Sequence, residues 1–146
     1  MPDKSLAAGA SLLIGAAYVA VGIVGFFITG FGNFLSDTGD TLLFGFASIN
    51  PMHNLVHVLI GAFLIAMTRF SSATTEGALM GVGLFYIVAF VIGVSAPDNL
   101  TIIAMNGAGD GENLVHIVTG VTALTAGLIS SGRSEAAARR RGISAS

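Results

Sequence analysis

The chain contains three histidines, and two of them occupy the same place in a repeated motif. His57 lies in the segment HNLVHVLIG, and His116 lies in ENLVHIVTG. His53 opens the first segment, where the second has Glu112. Imidazole is a common ligand of transition metals and of haem iron, and carboxylate oxygens bind zinc as well. The motif therefore raises the question of whether these side chains bind a cofactor.

The spacing of the motif places its polar residues on one face of a helix. Asn54, His57 and Gly61 are separated by three and four residues, and His53 lies one turn before His57 on that face. The second copy repeats the pattern with Glu112, Asn113, His116 and Gly120. A polar face in an apolar helix is expected to point into a bundle, because its exposure to lipid is costly.

Three interpretations of this face remain open. In the first, it is a structural polar cluster: Asn54 and Asn113 form hydrogen bonds between helices, worth roughly 0.6 to 2 kcal/mol each, while Gly61 and Gly120 allow close helix contact. In the second, four side chains converge on a zinc, copper or iron ion. These candidate metal ligands are His53, His57, Glu112 and His116.

In the third interpretation, His57 and His116 are the axial ligands of a haem b held between two helices. Two histidines at equal depth are what such a cofactor requires, but no additional basic residue is placed to meet its propionates. Contact with a quinone and a role in proton relay are further alternatives. No cofactor is fixed by the sequence alone.

The composition indicates that the elements carrying these residues cross a membrane. Hydrophobic residues make up 53% of the 146 positions and charged residues 10%, against about 25% charged in an ordinary soluble domain. Four stretches without charge approach the roughly 20 residues that a helix needs to span a bilayer. We predict spans at residues 6–28, 51–68, 77–96 and 113–131 in one membrane domain covering residues 1–146, whose last part, residues 132–146, is a basic cytoplasmic tail.

The charged residues predict the orientation. All six basic residues lie in the two terminal segments or between spans two and three, at Lys4, Arg69, Arg133, Arg139, Arg140 and Arg141. The links between spans one and two and between spans three and four carry only acidic charge. By the positive-inside rule both termini are cytoplasmic. The basic residues are few and lie mainly near the ends of the chain, so they do not form a nucleic-acid-binding surface.

The histidine motif belongs to a longer repeat. Gly15 and Tyr18 of the first span match Gly83 and Tyr86 of the third, so spans one and two form one hairpin and spans three and four another. We expect the hairpins to be related by a pseudo-two-fold axis along the membrane normal. Small residues in the spans should let helices approach, as at the small-xxx-small pair Gly77 and Gly81.

The loop after the first span is apolar as well as acidic, and we predict a short interfacial helix around Leu42, Leu43, Phe44 and Phe46, with an irregular loop as the alternative. The segment LLFGFASINPMHNLVHVLIGAFLIA, with its core Asn-Pro-x-His-Asn-x-x-His-x-x-x-Gly, resembles domain-of-unknown-function family 4383. That resemblance implies a small four-helix prokaryotic membrane protein and supplies no activity.

The sequence thus predicts an all-α integral membrane four-helix bundle of two repeated hairpins in the prokaryotic inner membrane. Its leading functional interpretation is a non-enzymatic scaffold or accessory subunit held together by the Asn/His cluster. The rival is a metal- or haem-binding redox protein that uses His57 and His116. Expected partners are the lipid bilayer and either further copies of the chain or a larger membrane complex.

Overall fold

The computed structural model describes residues 5–32, 34, 41–95, 103–104 and 107–144. Within them the chain is mostly helical, and the all-α prediction with four helices is confirmed. The helices are α1 (Leu6–Thr29), α2 (Pro51–Met67), α3 (Ser72–Ser95) and α4 (Gly111–Ser144). Three of them, α1, α3 and α4, are long and apolar enough to cross a membrane, and α2 is a shorter apolar helix. The predicted loop residues Asp37, Asp40 and Asp98 lie outside the described residues.

The helices pack as two antiparallel pairs, each joined at two glycines. A Cβ atom on Gly15 of α1 would lie 2.7 Å from the carbonyl oxygen of Gly61, and one on Gly61 of α2 would lie 2.5 Å from that of Gly15. In the pair α3–α4, the corresponding distances for Gly83 and Gly120 are 2.9 and 3.0 Å. These distances leave hardly any room for a Cβ atom, so glycine permits the close backbone approach at both contacts.

A different glycine pair makes no helix contact. A Cβ atom on Gly77 or Gly81 of α3 would meet nothing within 4 Å. The expectation that this small-xxx-small pair brings helices together is therefore wrong within this chain. The spacing of small residues identifies a flat helix face, but it does not reveal whether a neighbouring helix covers that face.

The two pairs meet along a core that contains both tyrosines. Tyr18, Tyr86 and Leu79 are almost completely buried there, and the two tyrosine rings lie 4.9 Å apart. The Tyr18 hydroxyl donates to Thr119 Oγ1 at 2.9 Å, which links α1 to α4. The core therefore combines apolar packing with a hydrogen bond between the pairs.

The segment before α2 is a β-hairpin, so the prediction of an interfacial helix there is wrong. Strand β1 (Leu42–Leu43) pairs antiparallel with β2 (Ala47–Ser48). Phe44 and Gly45 both have positive φ angles, 54° and 72°, as the central residues of a type I′ turn require. Each strand has only two residues, so the sequence offers no alternation from which a strand could be predicted.

The helix bounds differ from the predicted spans mainly beside the basic segments. Helix α3 begins at Ser72, before the predicted start at residue 77, and α4 continues to Ser144, beyond the predicted end at residue 131. The additional turns contain polar residues. Hydropathy does not assign such residues to a membrane span, but a helix outside the lipid can contain them. We call the end of the bundle where α2 and α4 begin the histidine end, and the opposite one the arginine end.

Candidate metal centre

The three histidines come together at the histidine end, where the two helix pairs meet. His53, His57 and His116 are each about 5–6% exposed. One ring nitrogen from each lies within 4.8 Å of one from each of the others. The closest two are Nε2 of His53 and Nε2 of His57, at 2.9 Å. His53 and His57 are one turn apart on α2, whereas His116 comes from α4, so the cluster depends on the packing of the pairs.

Glu112 lies beside His53, next to the ring nitrogen that does not face His57. Its Oε2 atom is 3.1 Å from Nδ1 of His53, while Nε2 of the same ring faces His57. Glu112 is itself 3% exposed. The three histidines and Glu112 were the predicted metal ligands, and the structure brings all four side chains into one buried cluster.

Two aromatic rings pack against the histidines of this cluster. The Tyr18 ring meets the His57 ring edge-on at a centroid distance of 4.8 Å. The Tyr86 ring lies 5.2 Å from that of His116. Nδ1 of His57 and Nδ1 of His116 are buried and have no hydrogen-bond partner among the described residues. Buried polar atoms without hydrogen-bond partners are uncommon in proteins, and Nδ1 of His53 and both carboxylate oxygens of Glu112 share this property within the described residues.

The two asparagines of the motif form hydrogen bonds away from the histidine rings. Asn54 Nδ2 donates to Thr29 Oγ1 at 2.9 Å, which joins α2 to the end of α1. Asn113 Nδ2 donates to the carbonyl oxygen of Gly107 at 2.8 Å. The Asn54 side chain also fills the space beside Gly25, where a Cβ atom would overlap it. These contacts are those of residues that hold helices and loops in place.

Capped helix starts position the histidines. The side chain of Asn50 accepts a hydrogen bond from the His53 backbone N–H at 2.7 Å, and Pro51 occupies the first turn of α2. At α4, Asp110 Oδ1 accepts from the backbone N–H groups of Glu112, at 3.1 Å, and Ser48, at 3.0 Å. The second of these bonds ties the β-hairpin to α4. Sequence analysis missed Asp110, although an acidic residue just before an apolar run is a recognised helix-start signal.

Two cavities border the cluster on different sides. One, of about 240 Å³, lies under the β-hairpin and is lined by Phe44, Phe46, Glu112 and His116 among others. The other, of about 150 Å³, opens beside α3 and is lined by Phe85, Tyr86, Ala89 and all three histidines. Each is smaller than the roughly 300–1,000 Å³ of pockets that enclose drug-sized ligands. They have the size for small groups and are too small for a porphyrin.

Comparison with known proteins adds one match. The sequence pattern of a family described as "Domain of unknown function (DUF4383)" matches residues 9–139. The chain belongs to this family. No curated protein and no solved structure matches the chain. The resemblance expected from the segment around the first histidine motif is therefore confirmed.

The DUF4383 match extends from the second turn of α1 into the polar part of α4, so it includes every residue of the cluster. The family description assigns no activity. A function for this DUF4383 protein must therefore be argued from the cluster itself.

Proposed function

We propose that the chain is a multi-pass protein of a prokaryotic inner membrane, with four spans and both termini in the cytoplasm. Three apolar helices of spanning length support this proposal. Helix α2, with 17 residues, is about 26 Å long, slightly less than the roughly 30 Å hydrocarbon core. The apolar β-hairpin in front of it would complete the crossing. All five arginines, Arg69, Arg133, Arg139, Arg140 and Arg141, lie toward the arginine end, which supports the orientation.

We further propose that the two helix pairs are an internal repeat. The reciprocal glycine contacts support this, because Gly15 and Gly61 in one pair correspond in the sequence to Gly83 and Gly120 in the other. The matching tyrosines Tyr18 and Tyr86 also lie 4.9 Å apart, and the matching histidines His57 and His116 lie in one cluster. Both observations fit a pseudo-two-fold axis that passes between the pairs.

We propose that the histidine cluster binds one transition-metal ion. The observation that carries this proposal is the convergence of three buried ring nitrogens from two helices within 4.8 Å. Metal–nitrogen bonds of about 2.0–2.1 Å would place the two nitrogens that are 2.9 Å apart at roughly a right angle on one ion. The ring nitrogen of His116 within 4.8 Å of these two would be the third ligand.

Glu112 has a separate role in this proposal. A metal-binding histidine usually donates its second ring N–H to a carboxylate or carbonyl, which fixes the ring orientation and increases its basicity. Glu112 is placed for that at Nδ1 of His53. We therefore propose that Glu112 orients His53 and balances part of the metal charge, while the histidines supply the bonds to the metal.

The geometry favours a metal ion over the two other interpretations. A purely structural role is filled by Asn54 and Asn113, whose side-chain N–H groups donate to Thr29 and Gly107, whereas the three histidine rings converge on one point. A haem needs more room than the cavities beside the histidines provide. The structural role thus falls to the asparagines and the binding role to the histidines.

Three neutral imidazoles suit zinc, copper or iron, and they leave one position of a tetrahedral ion open. The open position would face a cavity, as in metal sites that bind a small molecule. Zinc would make the centre a Lewis acid, whereas copper or iron would also allow electron transfer. Metal analysis decides between these chemistries.

The test uses protein purified in detergent with a tag that contains no histidine, so that the chain's own three histidines are the only ones present. The protein is incubated with Zn²⁺, Cu²⁺ or Co²⁺, passed over a desalting column and analysed for bound metal. We expect one equivalent per chain, and for Co²⁺ the visible absorption of a tetrahedral centre. His116→Ala and His57→Ala should each reduce bound metal to below about a tenth, because one ligand is lost.

The control variant is Thr75→Val, which removes a buried hydroxyl near the arginine end, where it donates to the Met67 carbonyl oxygen. It should keep the full metal equivalent, and circular dichroism should show the same helix content for all variants. Wild-type protein that retains no metal from any of the three solutions, although it is folded, would refute the proposal. A Soret band that disappears in His57→Ala would replace it with the haem interpretation.

A further inference from the structure

An apolar groove runs between α2 and α3, where these helices contact each other much less than they contact their own partners. Its volume is about 590 Å³. Side chains from both helices line it: Val56, Leu59, Ile60 and Phe63 from α2, and Ala78, Val82 and Phe85 from α3. A volume of this size lies within the range of ligand-binding pockets.

The groove adjoins the 150 Å³ cavity beside the histidines. Val56 and Phe85 line both spaces, so the groove and the cavity are neighbours that meet at these two side chains. An elongated ligand could therefore enter from the lipid between α2 and α3 and reach His116 with one end. His116 is among the residues that line the cavity at the end of this path, and its imidazole is a polar group that the end of the ligand would meet there.

Gly77 and Gly81 form part of the groove wall and pack against nothing in the chain. The glycines at the middle of the other helices, such as Gly15 and Gly120, instead contact a neighbouring backbone. The absence of side chains on Gly77 and Gly81 thus deepens the groove and does not tighten a helix contact. This is an arrangement that accommodates a ligand chain.

The cavity restricts the polar end of the ligand in size and in charge. An apolar cavity of about 150 Å³ accommodates one benzene ring, so the cavity fits a single six-membered ring. The described residues that line it include no carboxylate, lysine or arginine. A phosphate headgroup would therefore be buried without a counter-charge, which is costly. A neutral ring with oxygen substituents fits both restrictions.

We propose that this space binds a benzoquinone-type lipid, with its ring in the cavity beside His116 and its apolar tail in the groove between α2 and α3. This inference names a ligand for the site of the proposed function and rests on its histidines, although it does not require the metal ion. With an ion bound, the quinone oxygen would approach the open coordination position. A second copy of the chain is a poorer occupant, because a helix of about 10 Å diameter cannot enter the cavity.

The test measures binding of two quinones to the detergent-solubilised protein, with and without one equivalent of Zn²⁺. One is a dimethylbenzoquinone with a decyl tail, and the other is trimethylbenzoquinone without a tail. The chain has no tryptophan and only two tyrosines, Tyr18 and Tyr86, both next to the cluster. Quenching of tyrosine fluorescence, checked by calorimetry, therefore reports binding. We expect saturable binding of the decyl quinone at one per chain.

The informative variant is Gly81→Leu, which fills the groove without touching a histidine. We expect it to weaken decyl-quinone binding about tenfold, because the leucine side chain would overlap the tail. Binding of the tail-less quinone and of Zn²⁺ should be unchanged. Gly9→Leu is the matched control, because Gly9 is also helical with nothing within 4 Å but lies outside the groove.

Each opposite result has a defined meaning. Absence of saturable quinone binding, or an unchanged affinity in Gly81→Leu, overturns this inference even if one metal equivalent is retained. Loss of a dimer in Gly81→Leu, without any quinone effect, would assign the groove to a second copy of the chain. Quinone binding that is lost in His116→Ala, in a protein that binds no metal, would support this inference and refute the metal proposal.

Discussion

The helix pairs α1–α2 and α3–α4 use the same glycine contacts but contribute different chemistry to the centre of the bundle. The repeated motif differs at its first position, which is His53 in one pair and Glu112 in the other. These two residues lie 3.1 Å apart. Two histidines or two glutamates facing each other would be two side chains of one kind, whereas an imidazole and a carboxylate complement each other as donor and acceptor. Departure from strict repetition thus places two complementary groups side by side.

The asparagines show a second difference between the pairs. Asn54 donates to Thr29 on the neighbouring helix, so its bond holds α1 and α2 together. Asn113 donates to the Gly107 carbonyl, so its bond fixes the loop that leads into α4. Asn54 thus stabilises the contact between two helices, whereas the equivalent Asn113 stabilises the loop at the start of α4.

Exchange of the two differing residues tests whether the motif positions are equivalent. His53→Glu alone places two carboxylates side by side, and Glu112→His alone removes the carboxylate, so each should weaken Zn²⁺ affinity about 100-fold. The double variant restores one imidazole and one carboxylate with their positions exchanged. We expect its affinity to lie within about tenfold of wild type, measured by competition with a chelating dye. If the double variant lost as much Zn²⁺ affinity as the two single variants together, only the wild-type arrangement of His53 and Glu112 would support binding.

Substitutions of the two equivalent glycines Gly61 and Gly120 should differ in cost, because Gly61 is packed more tightly. A Cβ atom would lie 2.5 Å from a backbone oxygen at Gly61, but 3.0 Å at Gly120, where its nearest atom is in the flexible Ile87 side chain. We expect Gly61→Ala to lower the free energy of unfolding by about 2 kcal/mol and Gly120→Ala by about 1 kcal/mol. Unfolding by SDS, followed by circular dichroism, measures both.

The control for this series is Gly77→Ala, because its Cβ atom would have open space. It should leave the free energy of unfolding within about 0.5 kcal/mol of wild type. If Gly61→Ala and Gly120→Ala lowered the free energy of unfolding equally, both helix pairs would have relaxed to the same distance between their helices.

The Asn54–Thr29 hydrogen bond should be measurable as a coupling between two helices. In a double-mutant cycle of Asn54→Ala and Thr29→Val, we expect an interaction free energy of about 1 kcal/mol, in the range of such bonds in membrane proteins. Asn113→Ala combined with Thr29→Val should give none, because Asn113 bonds to Gly107 instead. A coupling for Asn113 equal to that for Asn54 would contradict the assigned roles.

The hydrogen bond between the pairs should have the smallest effect. Tyr18→Phe removes the donor to Thr119, and we expect the free energy of unfolding to fall by about 0.6 kcal/mol. Thr119→Val should lower the free energy of unfolding by a similar amount. The double variant should lower it no more than either single variant does. Additive losses in the double variant would show that the two side chains act independently.

The positions of the histidines along their helices could be predicted from sequence, whereas their contacts could not. Helical spacing places His57 and Asn54 on one inward face, and the matching motif places His116 at similar depth. Contact between His53 and Glu112 depends on how far one helix pair is rotated against the other. That rotation is set by side-chain packing in three dimensions, and it cannot be derived from the spacing of residues in the sequence.

The β-hairpin and the open groove were missed for related reasons. The segment from Leu42 to Ser48 has apolar residues in nearly every position, which is compatible with an interfacial helix, and its turn requires an unusual positive φ at Phe44. Gly77 and Gly81 have the same spacing as glycines that pack against a helix elsewhere. Local sequence indicates what a segment can pack against, but only the complete fold decides whether a neighbour is present.

Helix α4 has a further consequence because of its length. With 34 residues it extends about 51 Å, roughly 20 Å more than the hydrocarbon core of a bilayer. Since it begins beside the buried histidines, in the proposed orientation the surplus projects on the cytoplasmic side. Arg139 and Arg140 lie about 42–44 Å along the helix, which is about 12–14 Å beyond the core and within about 8 Å of the headgroup surface. Surface potential extends over about that distance at physiological salt, so the last turns would hold positive charge where anionic headgroups attract it.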